Sequence, residues 1–190
     1  MRRTFVEAAR QIAAKQGPEK LSLRGVARAS DYSHAAVYEY FKSREELLGA
    51  VIYEGFGELM AALAAVNAAL GVRERLVHMG LAYIDFARQS PEIFELLFTR
   101  NRAQRRHVGE TRGTDKPYGL LRAAIAAVVP EASERAFDGA AYHFWALVHG
   151  LAMLEITFLR GFEADFDRAR LTSIDQFVKS LPQFVEEQST

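Results

Sequence analysis

The sequence predicts an all-α protein, and three observations carry that reading. Apolar residues recur at three- and four-residue spacing along most of the chain, the period of a helix with one buried face. Helix starts are marked by Ser or Pro and ends by Gly or Pro, as at Ser22, Ser33, Ser43, Ser90-Pro91 and Gly17-Pro18. No segment keeps up the two-residue alternation of a half-buried strand. The pattern divides into about nine helices, with a three-helix domain over 1–46 and a helical bundle over 47–190.

The first helix runs from about Arg3 to Gln16, with Phe5, Ala9, Ile12 and Ala13 on one stripe and Gly17-Pro18 ending it. Arg2 and Arg3 read as a solvated terminus, with a short arm toward nucleic acid as the alternative. A second, short helix carries Leu23, Val26 and Ala27 on its buried side, with Ser22 placed to cap it. Ser30-Asp31-Tyr32-Ser33 favours a turn, and Ser33 can cap a third helix from His34 to Phe41. Val37 and Phe41 face the core, which turns His34, Ala35, Ala36, Tyr38 and Tyr40 outward to varying degrees.

That outward face is short of charge and has small residues near its start. Small residues let a backbone approach a groove, and an alanine methyl can meet a thymine methyl. Ser22, Arg24, Ser33, Tyr38 and Lys42 carry groups suited to phosphate oxygens or to the cap beside them, contacts that set register without reading sequence. Ser43 with Glu46 is a capping-box pattern that starts a long fourth helix, whose N-terminus adds a partial positive end.

These residues resemble the DNA-binding domain of the TetR-type (tetracycline-repressor-like) transcriptional regulators. The resemblance rests on RRTFVEAARQIAAKQG, LSLRGVARAS, AAVYEYFKSREELL and the run into a long helix, an ordered set over about 45 residues. It departs from the family at the turn, where Asp31-Tyr32 stands in place of the usual glycine; aspartate tolerates the left-handed conformation better than most residues. The resemblance implies a cytoplasmic, ligand-responsive DNA-binding regulator, a repressor of transcription, acting as a homodimer on a palindromic operator. It implies double-stranded DNA and a small-molecule effector as partners, with no cofactor and no metal.

Composition agrees with these expectations. At 190 residues and 49% hydrophobic the chain can bury a sizeable core, and with no cysteine it has neither disulfides nor thiolate metal sites. Net charge is zero, yet residues 1–46 hold nine Lys/Arg against six Asp/Glu, and the remainder fifteen against eighteen. A basic head on an acidic body suits a protein that should grip DNA at one end. Neither a signal peptide nor a continuous run of about eighteen apolar residues is evident, so no membrane association is expected.

Beyond the head, the fourth helix is read from Arg44 to about Leu70, with Gly55 and Gly57 midway as sites of a bend or a close contact. Helices follow from Val72 to Arg88, over PEIFELLFTR, and over YGLLRAAIAAVV. Between the last two, Arg100 to Lys116 is arginine-rich and reads as a solvated loop, with a second nucleic-acid patch as the alternative. Two long helices close the chain, about Ser133 to Leu159 and Phe166 to Val185, apolar on more than one side. One side can face their own core and the other a second copy, so they are expected to form the dimer interface.

Within the first of these, Tyr142, Trp145, His149 and Met153 share a stripe, and Trp145-x-x-x-His149-Gly150 resembles a Trp-His-Gly signature of one TetR subgroup, together with Pro-Glu-Ile-Phe at 91–94. The resemblance places an effector pocket among Tyr83, Phe86, Phe94, Phe98, Tyr118, Tyr142, Trp145, His149 and Met153; the competing reading makes Trp145 and His149 core or interface residues. Catalysis is not expected. The five histidines form no HExxH and no Gly-rich phosphate loop follows a strand, which leaves a helical-bundle hydrolase or transferase as the rival class.

Overall fold

The computed structural model describes residues 1–99, 116–162 and 165–188. Among these the chain forms nine α-helices and no strand: α1 (Arg2–Gln16), α2 (Leu23–Ser30), α3 (His34–Tyr40), α4 (Arg44–Ala64), α5 (Val72–Gln89), α6 (Pro91–Thr99), α7 (Pro117–Val128), α8 (Glu134–Ile156) and α9 (Phe166–Gln188), with a 3-10 turn at Pro18–Lys20. Of the arginine-rich segment only Lys116, the N-cap of α7, lies within the described residues.

Two helices stop earlier than their apolar pattern suggests. The fourth ends at Ala64, not near Leu70, because Asn67 offers the backbone an alternative: its Oδ1 accepts from the Ala69 amide at 2.9 Å. The eighth ends at Ile156, where Thr157 leaves helical geometry (φ −114°, ψ −86°) and Leu159 donates back to the Leu154 carbonyl at 2.8 Å. The ninth runs on to Gln188 through Pro182.

By packing, the chain falls into two compact units whose limits are not the expected division at 46/47: Met1–Glu58 with Ser90–Arg102, and Leu59–Gln89 with Ala103–Thr190. The reason lies in α4 and α6. Residues of α4 as far as Glu58 pack with the head, and Gly55 lets α6 come close, since a Cβ there would lie 2.9 Å from Ile93 Cγ2 and 3.0 Å from Leu97 Cδ2. Gly57, by contrast, has nothing within 4 Å of a would-be Cβ. Arg10 of α1 donates a forked pair of bonds to the Glu58 carboxylate, one at 3.0 Å, which holds the guanidinium further in its charged form.

The first unit is built on Phe5, Val6, Val26, Val37, Phe41, Leu47 and Val51, all fully buried. The Phe5 ring meets Tyr32 edge-on at 5.3 Å and Tyr40 at 5.6 Å, which ties the turn and the end of α3 to α1. Arg2 places its guanidinium 5.2 Å from the Phe41 ring, a cation–π contact that ties the start of α1 to the core of its own unit.

The second unit centres on α5, α8 and α9. Gly80 of α5 sits where these three helices converge; a Cβ there would lie 3.1 Å from Phe144 and 3.2 Å from Ile174. Leu76, Ile84, Val148, Ile174, Val178 and Leu181 fill the space around it. An ion network spans the same helices. Arg170, only 5% exposed, pairs with Glu155 at 3.2 Å and with Asp167, while Arg88 reaches Glu155 at 3.5 Å. Glu155, half-buried, is shared by two guanidiniums, so the buried Arg170 charge is not left without a counter-ion.

Among the described residues one helix, α4, is long and apolar enough by composition to cross a membrane. It reads instead as a core helix: Leu47, Val51, Ile52, Leu59 and Leu63 are buried, and Glu58 is paired with Arg10.

Candidate nucleic-acid interface and effector residues

The head is a helix-turn-helix set by three serine caps. Ser22 Oγ accepts from the Gly25 amide at 3.0 Å, Ser33 Oγ from Ala36 at 3.2 Å, and Ser43 Oγ from Glu46 at 3.1 Å, so α2, α3 and α4 start where the sequence placed them. The capping box at α4 is shifted by one residue, because Glu46 accepts from the Lys42 amide at 2.7 Å. The turn takes the form expected of aspartate. Asp31 is the only described non-glycine residue with positive φ (φ 61°, ψ 31°), a left-handed C-cap that lets Tyr32 N–H reach the Ala27 carbonyl at 3.0 Å.

On α3, Val37 points inward and is fully buried. Ala35 and Tyr38 are exposed, and His34 and Ala36 half-buried. His34 and Tyr38 stack edge to face at 4.6 Å, one turn apart, so they present a single aromatic ridge. Tyr40 belongs partly to the core through Phe5. Lys42, exposed beyond the helix, donates from Nζ to the Tyr38 carbonyl at 2.9 Å. Ser22, Ser33 and Arg24 are exposed as well. Thus Ser22, Arg24, Ser33, Ala35, Tyr38 and Lys42 are exposed and His34, Ala36 and Tyr40 half-buried, with the apolar residues beneath them.

In the second unit, Tyr83 of α5 and Trp145 and His149 of α8 form a hydrogen-bonded chain. The indole Nε1–H donates to Tyr83 Oη at 3.1 Å, and Tyr83 Oη lies 3.0 Å from His149 Nδ1. An indole can only donate, so Tyr83 Oη is the acceptor in that bond; the direction of the bond to His149 Nδ1 follows the imidazole tautomer. Burial pushes the Tyr83 hydroxyl pKa up and the His149 pKa below its ordinary value, both favouring neutral forms. Tyr118 stacks near Trp145 at 6.3 Å and donates to Asp138 at 3.2 Å. The sequence does not show this triad as a bonded unit; its only trace there is that a buried tyrosine hydroxyl needs a polar partner, and Trp145 itself is 37% exposed.

Phe86 is buried in the same unit, Met153 is half-buried, and Tyr142 is turned to solvent at 64% exposure. Phe94 and Phe98 belong by packing to the first unit, 4.9 Å from each other, with Phe56 5.9 Å from Phe98. By packing, Phe94 and Phe98 are grouped with the first unit and the other seven candidate pocket residues with the second. Elsewhere on α8, Ala146, Gly150 and Leu154 form an exposed stripe, and a Cβ at Gly150 would meet nothing within 4 Å.

The neutral state of His149 has a consequence for stability against pH. Below about pH 6.5 the unfolded chain takes up a proton on this residue while the folded protein resists doing so, so stability contributed above that pH is lost as pH falls toward the depressed folded value. Thermal unfolding across pH 7.5 to 5 is expected to show a decline in Tm that is smaller in His149→Gln; equal declines in both would remove the burial argument.

Comparison with known proteins bears on both units. Residues 5–51 match the family described as bacterial regulatory proteins, tetR family, and residues 76–178 match the tetracyclin repressor-like C-terminal domain. The chain is 26% identical over 162 residues to the uncharacterized HTH-type transcriptional regulator Rv0681 of Mycobacterium tuberculosis, covering 82% of this chain and 70% of that one. Among solved structures, a protein of unknown function from Rhodococcus sp. RHA1 is 27% identical, with a TM-score of 0.79 over 96% of this chain and 95% of that one. The fold is also that of a TetR variant from Acinetobacter baumannii AYE in complex with minocycline, at 15% identity and a TM-score of 0.67 over 95% and 96% of the two chains. With a helix-turn-helix defined by its caps and both halves matched in order, the chain belongs to the TetR family of DNA-binding transcriptional regulators.

Proposed function

We propose that this protein is a homodimeric repressor that leaves its operator when a small, largely apolar effector binds in the second unit, and that it works in the cytoplasm without cofactor, metal or catalysis of its own. The observation that carries the effector half is the Tyr83–Trp145–His149 chain: three neutral polar groups held together among aromatic residues, the few fixed handles that small-molecule sites place in apolar walls. The site would draw on these three with Phe86, Tyr118, Tyr142 and Met153. Minocycline bound to a protein of the same fold makes a small-molecule effector a reasonable expectation, and the Trp-His-Gly subgroup remains a proposal on residues 145–150. The exposed Ala146, Gly150 and Leu154 stripe favours α8 and α9 as the dimer interface, because small residues allow two helices to approach closely.

In the proposed mechanism each protomer lays α3 in the major groove, and two-fold symmetry matches half-sites about 34 Å apart or a multiple of it. Effector binding shifts α4 and with it the separation of the heads, provided the effector binds one arrangement better than the other. The reading is tested by selecting duplexes from a random-sequence library and screening small molecules for those that raise Tm and release the selected duplex. A monomer that selects no duplex at low salt would end it.

Residue roles separate further. Lys42→Ala or Tyr38→Phe is expected to weaken all duplexes nearly alike, the lysine change also lowering the salt slope by about 0.9 per protomer, whereas His34→Ala or Ala35→Gly should change which sequence is preferred. Equal loss of discrimination in both sets would overturn the assignment. Trp145→Phe, which keeps an aromatic ring but removes the indole donor, is expected to abolish release by effector while leaving duplex affinity within about twofold. Unchanged release would remove Trp145 from the effector site.

A further inference from the structure

Arg44 is the first residue of α4, at the positive end of that helix dipole, where a cation is disfavoured. A basic residue beside Lys42 reads at first as another phosphate ligand. Its side chain does something else. Nε donates to the Leu21 carbonyl at 3.0 Å and Nη2 to the Pro18 carbonyl at 2.7 Å, so one planar fork joins the start of α4 to both ends of the connection from α1 to α2. Nη1 lies 3.7 Å from the Glu45 carboxylate, which accounts for the remaining direction of the guanidinium. Leu21 itself is buried, at 2% exposure, and immediately precedes the cap residue Ser22.

We infer that Arg44 is a positioning residue for DNA binding: it fixes the start of α2, with Ser22 and Arg24, relative to the start of α4, which Lys42 shortly precedes, and thereby sets the spacing of the backbone contacts on either side of α3. The inference rests on the reading that α2 and α3 lie against duplex DNA. Only a fork reaches both carbonyls. Lysine at this position keeps the charge yet is a point donor that bonds one carbonyl at a time, so charge and geometry can be separated by substitution.

The test uses the full-length protein and the duplex that wild type selects from a random-sequence library. Affinity is titrated at several salt concentrations, well below each variant's Tm, for wild type, Arg44→Lys, Arg44→Gln and Arg44→Ala. Positioning predicts that all three lose about ten- to a hundredfold in affinity, the scale of charge-assisted hydrogen bonds, with a salt slope equal to that of wild type. Near-wild-type binding by Arg44→Lys, with the slope of Arg44→Ala reduced by about 0.9 per protomer, would make Arg44 a phosphate ligand and overturn the inference. So would variants that melt earlier but bind normally while folded, which would leave only a structural role. Should Arg44→Ala not fold, Arg44→Lys and Arg44→Gln decide by the same criteria. Failure of wild type to select any duplex sinks the DNA-binding reading and the inference together, an outcome distinct from the other two.

Discussion

Phe41→Ala is expected to destabilise the first unit by about 3–5 kcal/mol and to abolish duplex binding. The Phe41 ring is fully buried at the end of α3, in the core with Val37 and Leu47, and carries the Arg2 guanidinium on its face. Truncation to a methyl group leaves a cavity under the reading helix, and the loss is a large share of the roughly 5–15 kcal/mol that typically holds a domain together. The chain has one tryptophan, Trp145, in the second unit, so its fluorescence reports that unit while helical circular dichroism reports both. In urea the variant should lose part of its helical signal first, with the Trp145 transition following near its wild-type midpoint. Coincident, unshifted transitions by both probes would show that the head tolerates the cavity.

Gly80→Val should act on the other unit. Three side-chain carbons from α8 and α9 already stand within 3.2 Å of where a Cβ would be, and valine adds two methyls beyond it. Overpacking of this kind costs about 1–3 kcal/mol, and the upper end is expected because Phe144 and Ile174 are buried with little room to yield. The Trp145 transition should move to lower urea. A Trp145 midpoint equal to that of wild type would mean that the three helices can separate at no cost.

Much of the head was legible in the chain alone. Its boundaries are decided locally: a serine hydroxyl caps the amide three residues on, an aspartate takes the left-handed turn, and an apolar stripe at helical spacing chooses the buried face. Those interactions span about four residues or fewer, so the chain states them directly. Helix ends were less legible where a side chain beyond the last apolar residue competes for the backbone, as Asn67 does after α4. The candidate effector residues were legible only as a list. That Trp145 and His149 share a stripe follows from helical period, but that both bond one hydroxyl from a residue more than sixty positions away does not.

What the sequence by itself determined is therefore the helical class, the caps and turn of the helix-turn-helix head, and the buried stripe of its helices, because all of these depend on neighbours one or two turns apart. Tertiary structure alone decided that α4 is divided between two compact units while α6 joins the head, that Phe94 and Phe98 pack in a different core from Tyr83 and Trp145, and that Arg44 bonds two carbonyls more than twenty residues earlier. Such pairings join groups far apart along the chain, and their partners are chosen by which surfaces the packed helices bring within hydrogen-bond reach.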